Sequence, residues 1–453
     1  MKLTNEECRA ARLSRDHRFD GVFFVAVKTT GIFCRPICPA TPPKEENVEY
    51  YSSAAKALIR GYRPCLRCRP DSAPHSWAWK GSETSFQRAL TLIEQGALEG
   101  GSVEQLSERL GISSRYLRKL FDAHLGVSPK QLALLNQLMF AKQLLHSSTM
   151  SVQDIGYACG FNSIRRFNDA FMKTLKLNPS QVRRGNQAQP NGCSLRLAYR
   201  GAYDWQRLLD FYRLRAIKGI ETVTADSYQR VVDIDGSSGW FKIYADKEHC
   251  QSVVVEFELQ DVTKLKQLVT RIRRMFDLDS DVTMIESQLS AVDPMLIRYP
   301  GIRIPGVWSV WEAGVRAVLG QQVSVKLAIS QLNLLVETLA GPRGESGVFP
   351  SPTRVASADL SFLRMPESRK QTLSRLAQHL VDHPEGEVES WLALKGIGPW
   401  TVNYVSLRGQ SQANLFLDTD LIVKKYTKQT PGLTVQRVSP WGSYATLHCW
   451  SHF

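Results

Sequence analysis

Two pairs of cysteines, Cys34-x3-Cys38 in TTGIFCRPICPA and Cys65-x2-Cys68 in RPCLRCRPD, are spaced as metal ligands are. Four sulfurs so placed suit a tetrahedral zinc ion held by thiolates. Such an ion keeps sulfur ionised at neutral pH, so a ligand in the site is also an available nucleophile. Four merely buried cysteines would have no reason to fall twice at ligand spacing. A purely structural zinc site fits the same pattern, and spacing does not separate it from a reactive one. Arg63, Arg67 and Arg69 flank the second pair and could grip a phosphate backbone. Each is equally well read as ordinary surface charge.

A second constellation lies near the other end. LKGIGPWTVNYVSLRG sets Gly396-Ile397-Gly398 between two helical stretches. Two glycines allow a tight turn whose backbone N–H groups approach a phosphate, although many helix hairpins share the pattern. Twenty residues after Trp400 comes FLDTDLIVKK, with Asp418 and Asp420. For Asp418 the plainer reading is a carboxylate at a helix N-terminus.

The chain that carries these sites has 453 residues and a net charge of +14. Residues 1–190 hold 27 Lys+Arg against 16 Asp+Glu, and the remainder 30 against 27. The N-terminal part is therefore the strongly basic one, as a phosphate-binding surface or a merely solvated face would be. The first twenty residues lack an apolar leader and no apolar run is long enough to span a bilayer. A reducing, cytoplasmic setting is expected, in which paired cysteines favour metal over disulfides.

Hydrophobic period and breakers divide the chain. Residues 1–79 hold the cysteine pairs, and the segment around Pro74 and WKGSET reads as a linker. Residues 80–186 read as all-helical. They contain an internal repeat: GISSRYLRKLFDAHLGVSPKQ returns fifty positions later as FNSIRRFNDAFMKTLKLNPSQ. Ser113 matches Ser163, Arg115 Arg165, Phe121 Phe171 and Pro129 Pro179, and each copy follows a turn with Gly111 or Gly160. That is helix–turn–helix twice, with Arg115 and Arg118 on the first recognition helix and Arg165, Arg166 and Asn168 on the second as DNA-contact candidates. GNQAQPNGC breaks the pattern. Residues 194–306 mix strands (SYQRVVDI, WFKIYA, SVVVEFEL) with the helical KLKQLVTRIRRMF, and residues 307–453 are helical again.

TTGIFCRPIC, ENVEYY and GYRPCLRCRPD resemble the N-terminal domain of the bacterial Ada family. The resemblance implies that Cys34, Cys38, Cys65 and Cys68 bind one Zn²⁺ and that Cys34 takes a methyl group from a methylphosphotriester in DNA. Methylation would leave the cluster less negative by one unit, a physical route to tighter DNA binding. GYACGFNSIRRFNDAFMKTLKLNPSQVRR resembles the AraC-type DNA-binding domain, which stands at the same place in Ada proteins. None of Cys8, Cys159, Cys193, Cys250 and Cys449 is followed by His-Arg, so the second Ada methyltransferase is not expected.

YDWQRLLDFYRLRAIKGIETV, PGIRIPGVWSVWEAGVRAVLGQQVSV and PWGSYATLHCW resemble the AlkA family of helix-hairpin-helix DNA glycosylases. The resemblance implies Asp420 as the catalytic carboxylate, Gly396 and Gly398 as DNA-binding hairpin, and Gln321, Trp400, Tyr404 and Trp450 as the base pocket. Core packing is the competing reading for the aromatic residues. Trp400 stands where glycosylase-lyases hold a lysine, which implies hydrolysis without strand cleavage. Gln322 stands at the position of an apolar wedge, a departure from the usual chemistry of minor-groove insertion.

The expected architecture is multidomain α+β: a small zinc domain, an all-α double helix-turn-helix domain, an α+β (TBP-like) domain and an all-α helix-hairpin-helix domain. The expected function is a bifunctional alkylation-damage response protein that releases 3-methyladenine-type bases and is switched as a transcriptional regulator through Cys34. The alternative is a regulator whose glycosylase-like half only binds DNA. Expected partners are alkylated and promoter double-stranded DNA and RNA polymerase, with a monomeric, nucleoid-associated protein and no membrane.

Overall fold

The structure is a computed structural model. It describes residues 3–15, 19–65, 67–68, 70, 84–94, 96–98, 101–183, 193–339, 347–384, 386–430 and 432–452. The chain forms two compact units, 1–189 and 190–453. The linker readings around Pro74 and GNQAQPNG fall outside the described residues, as does Arg69.

The first unit opens with helix Asn5–Ser14, started by a reciprocal Thr4–Glu7 capping box. Its Cys8 and Ala11 pack on Phe23 and Val25. Strands β1 (Phe24–Val27), β2 (Ile32–Cys34), β3 (Val48–Tyr51) and β4 (Arg63–Pro64) form a sheet in the order β3-β1-β2-β4. The β1–β2 hairpin turns at Gly31, whose φ of +63° favours glycine. β2 and β4 run parallel, and this brings the segments that end in Cys34 and begin at Cys65 side by side.

The helical part of the unit repeats as the sequence does. Helices Val103–Arg109 and Ser114–Leu125 form one pair, Val152–Ala158 and Ile164–Leu175 the other, with Pro129–Ser147 between them. Gly111 and Gly160 take left-handed φ values of +67° and +81° in the two turns. Ser113 and Ser163 each cap a second helix by accepting an N–H, from Tyr116 and Arg166 respectively. Pro129 and Pro179 each open the next helix at its first turn.

The second unit begins with a five-stranded antiparallel sheet: β5 (Cys193–Ala198), β6 (Glu221–Val223), β7 (Ser227–Ile234), β8 (Ser237–Ala245) and β9 (Ser252–Leu259), in the order β5-β9-β8-β7-β6. Alternation in β7 to β9 puts Tyr228, Val232, Phe241, Ile243, Val253 and Val255 on the buried face. Helix Leu265–Met275 buries Leu268, Val269 and Ile272. The helical remainder has two apolar cores. One gathers Trp391 with Val315, Leu335, Leu373 and Val402, and the other gathers Tyr444 with Leu289, Val423 and Leu447.

A four-charge cluster ties sheet to helices. Arg230 on β7 and Glu221 on β6 meet Glu312 and Arg316 from helix Val310–Gly320. All four are buried. Burial alone would raise the Glu221 carboxyl, but Arg316 and Arg230 outweigh it and hold it below the usual range. Removing one partner from such a group leaves an uncompensated buried charge, so the cluster fixes how the α+β part sits on the helical part.

Candidate functional site

The four cysteines of the first unit meet as their spacing predicts. Their Sγ atoms all lie within 4.8 Å of one another. Cys34 ends β2 and Cys65 follows β4, with the Cys65 N–H donating to the Phe33 carbonyl at 2.9 Å. Cys65 and Cys68 are buried, whereas Cys34 and Cys38 are half-buried. Backbone N–H groups of Ala40, Cys68 and Arg35 donate to the sulfurs of Cys38, Cys65 and Cys68, the last at 3.4 Å. Sulfur–sulfur hydrogen bonding, with Cys38 first, pushes the Cys34 thiol up, and its counterpart draws Cys38 down to about 7. Thiols this close cannot all ionise side by side, and a divalent cation resolves the conflict by stabilising every thiolate. Four sulfurs at this range, with N–H donors turned towards three of them, fit zinc.

Arg35 is a residue that sequence reading missed. It follows Cys34 in the sequence, yet only 6 % of it is exposed. It pairs with Asp20 through both carboxylate oxygens and reaches the Cys68 carbonyl at 3.4 Å. Of the flanking cations, Arg67 is exposed and Arg63 is half-buried on β4.

On the paired helices, Arg115, Arg118, Arg165, Arg166 and Asn168 are all exposed. Arg118 is engaged by Glu104 of the preceding helix at 2.9 Å. A phosphate would have to compete with that exposed ion pair, which is weak.

In the second unit the structure brings Asp420, Trp400 and Trp450 together, where the two helical cores meet. Asp420 caps helix Leu421–Gln429, its Oδ1 accepting from Ile422 N at 2.9 Å and Val423 N at 3.3 Å. Trp450 Nε1 donates to the same oxygen at 3.1 Å, and Trp400 Nε1 to Oδ2 at 3.4 Å. The helix-terminal carboxylate is therefore Asp420, while Asp418 lies exposed two residues earlier. The Trp400 ring stacks on Tyr404 at 5.2 Å and 22°. Arg408, one turn further along helix Pro399–Gly409, donates to the Tyr404 hydroxyl at 2.7 Å and to the Pro305 carbonyl at 2.8 Å. Burial acts to raise the Tyr404 phenol, but Arg408, Arg215 and Arg316 outweigh it and hold it below the usual range. Arg408, 2 % exposed, is the second residue that sequence reading missed.

The hairpin sits beside this group. Gln321 Nε2 donates to the Gly396 carbonyl at 3.0 Å and to Thr401 Oγ1 at 3.2 Å, so its amide braces the turn. Gln322 is exposed and takes a left-handed φ of +57°, a conformation uncommon for a residue with a side chain. The two glycines differ. Gly396 has φ +98°, and a Cβ there would lie 2.0 Å from Thr372 Oγ1, so the turn requires glycine. Gly398 has an ordinary extended φ of −111° as N-cap of helix Pro399–Gly409, and a Cβ there would meet nothing within 4 Å. The fold does not need glycine at 398, whereas a close-lying phosphate would. Gly396→Ala should therefore lose about 1–3 kcal/mol of stability. Gly398→Ala should keep wild-type stability to within about 0.5 kcal/mol and bind duplex DNA more weakly. Thermal melts and titration with a labelled duplex check both, and unchanged binding by Gly398→Ala would remove the hairpin from the interface.

Three family models match the chain: the metal binding domain of Ada over residues 7–71, a helix-turn-helix domain over 106–185 and the AlkA N-terminal domain over 194–309. A probable bifunctional transcriptional activator/DNA repair enzyme AlkA of Mycobacterium tuberculosis is 33% identical, covering 98% of this chain and 96% of its own length. This chain belongs to that family. The two halves also match separately. DNA-3-methyladenine glycosylase 2 of Escherichia coli is 32% identical across 56% of this chain and 95% of its own. The bifunctional transcriptional activator/DNA repair enzyme Ada of Escherichia coli is 33% identical across 41% of this chain and 51% of its own. An Ada-type regulatory half with one zinc site is thus joined to an AlkA-type repair half. Among the described residues no helix is long and apolar enough to cross a membrane.

Proposed function

We propose that the AlkA-type half hydrolyses the N-glycosidic bond of alkylated bases in DNA without cutting the strand, and that Asp420 is its catalytic carboxylate. The observation that carries this reading is the Asp420 site itself: a half-buried carboxylate gripped by two backbone N–H groups and two indole N–H groups beside the hairpin. A base must leave the stack to be reached. As its C1′–N bond breaks, the bonding pair departs with the base and the sugar gains oxocarbenium character. The Asp420 carboxylate stabilises that charge. Water then adds its oxygen to C1′ and releases a proton, giving a free base and an intact abasic site. A cationic base such as 3-methyladenine leaves as a neutral molecule, so no general acid is needed. Faces of Trp400 and Tyr404 suit a cationic purine better than a neutral one.

The Ada-type half is read as the sensor. When bound, zinc keeps the cluster sulfurs ionised at neutral pH. Cys34 Sγ attacks the methyl carbon of a methylphosphotriester: the S–C bond forms, the C–O bond breaks, and the phosphodiester anion leaves. The cluster loses one negative charge, which strengthens binding by the two helix-turn-helix motifs, where Arg115, Arg118, Arg165, Arg166 and Asn168 meet DNA. Arg63, Arg67 and Arg69 add backbone contacts. Two motifs in one chain read adjacent major-groove segments without a second copy, so the protein acts as a monomer on promoter DNA, at the nucleoid, and recruits RNA polymerase there.

The test is a base-release assay on methylated duplex DNA. Free 3-methyladenine and strand breaks only after alkali are expected. A covalent enzyme–DNA adduct trapped by borohydride would overturn hydrolysis without lyase chemistry. Absence of base release would favour the rival reading, a regulator whose second half only binds DNA.

A further inference from the structure

Asp420 has more hydrogen-bond donors than a helix cap requires. Ile422 N and Val423 N already satisfy the cap on Oδ1. Trp450 Nε1 adds a third bond to Oδ1 at 3.1 Å, a shorter contact than the 3.4 Å from Trp400 to Oδ2. Trp450 stands near the end of helix Gly442–Ser451, whose buried side chains, Tyr444 to Cys449, lock it into the second core. Trp400 instead stacks on Tyr404, whose hydroxyl Arg408 holds. The indoles thus differ: one offers a ring face in an aromatic stack, the other an N–H from a rigid helix.

We propose that Trp450 is a positioning residue that holds the Asp420 carboxylate aimed through its indole N–H, and not a wall of the base pocket. The inference rests on the reading of Asp420 as the catalytic carboxylate. The bond is made to the same carboxylate oxygen that caps the helix. It also removes rotational freedom about the side chain, so the oxygens stay where positive charge develops on the sugar.

Several charged and titratable groups lie on the elements around Asp420. Its own helix carries Lys424 and Lys425, both exposed, and Asp418 precedes it in the turn. The helix with Trp450 supplies Cys449, whose thiol burial first, then Asp293, and finally Asp420 push up to about 12, so it stays neutral across the working range. The same helix holds His448, turned to Glu286 at 3.5 Å. Helix Pro399–Gly409 presents Trp400, with Tyr404 and the cation of Arg408 behind it. Loss of the Trp450 N–H leaves every one of these groups in place and removes a single contact to the carboxylate.

The full chain with β-(3-benzothienyl)alanine at position 450 provides the test. Sulfur replaces the indole N–H while ring size and stacking face are kept, and Trp450→Phe serves as the genetically simple companion. Both are measured for 3-methyladenine release under single-turnover and steady-state conditions across pH, with thermal melts alongside. The expected result is a fall in kcat of about 10–100-fold, the effect of one hydrogen bond to a charged group. KM should hold while kcat falls. A wild-type kcat would overturn the proposal. So would a rise in KM alone, which marks a wall of the pocket. Asp420→Asn with full activity would instead defeat the underlying reading, an outcome separable because it does not involve position 450.

Discussion

Asp420→Asn should release 3-methyladenine from methylated duplex DNA about 10²–10³-fold more slowly than wild type, the usual cost of losing one electrostatic stabiliser of a transition state. The substitution keeps the side-chain shape. The amide oxygen of the variant can still accept from Ile422 N and Val423 N, so helix Leu421–Gln429 keeps its cap and the fold should survive. The amide also turns an N–H group towards Trp400 Nε1, where two donors then meet. The local loss is thus a bond of 3.4 Å, small beside the loss of charge opposite the oxocarbenium-like sugar. Binding to DNA should persist or tighten slightly, because the hairpin acts independently of the carboxylate and a negative charge near the phosphates is gone. Single-turnover base release and duplex titration, run for both proteins, separate the two effects. A variant that releases the base at the wild-type rate would show that Asp420 only caps its helix.

How much of this was written in the sequence depends on whether a signal is local. The cysteine pairs announce a metal because ligand spacing is a property of short segments, and the sulfurs do converge within 4.8 Å. The helix–turn–helix repeat was visible because key positions recur at a fixed offset, down to the capping Ser113 and Ser163. β7, β8 and β9 followed from period-two alternation. What stayed hidden depends on distant partners. Arg35 drew no notice in the sequence, but Asp20 and the Cys68 carbonyl hold it inside. Arg230 and Glu312 lie 82 residues apart, and nothing in either segment marks them as buried partners. Gly396 and Gly398 read alike, yet only the first has a backbone that requires glycine. Trp450 was legible as an aromatic residue near the site through resemblance. Its N–H contact with Asp420 was not, because the direction of an indole is fixed by how helix Gly442–Ser451 packs.

Exposure to DNA carrying methylphosphotriesters should place one methyl group on Cys34 and on none of the other eight cysteines. Selectivity follows from reach and from competition for the sulfur lone pairs. Cys8, Cys65, Cys68, Cys159 and Cys449 are buried. Burial, helped by Glu7, pushes the Cys8 thiol up to about 11, so it has little thiolate to offer. Cys193 and Cys250 are exposed but lie outside the sulfur cluster, where no metal ion makes a thiolate available. Within the cluster only Cys34 and Cys38 are half-open to solvent. Cys34 is the one that the Ada resemblance singles out as nucleophile, while Cys38 accepts an N–H from Ala40, which draws electron density from its sulfur. The methylated protein should bind its promoter more tightly, and most visibly at low salt, because the gain comes from one negative charge removed beside phosphates. Cys34→Ser should accept no methyl group. Cys38→Ala should also lose zinc and unfold the surrounding sheet, since so small a core depends on its ion for stability. Peptide mass spectrometry locates the methyl group, elemental analysis counts the zinc, and salt-dependent titration reads the affinity. A methyl group found on Cys38, or an affinity unchanged by methylation at every salt concentration, would refute the switch.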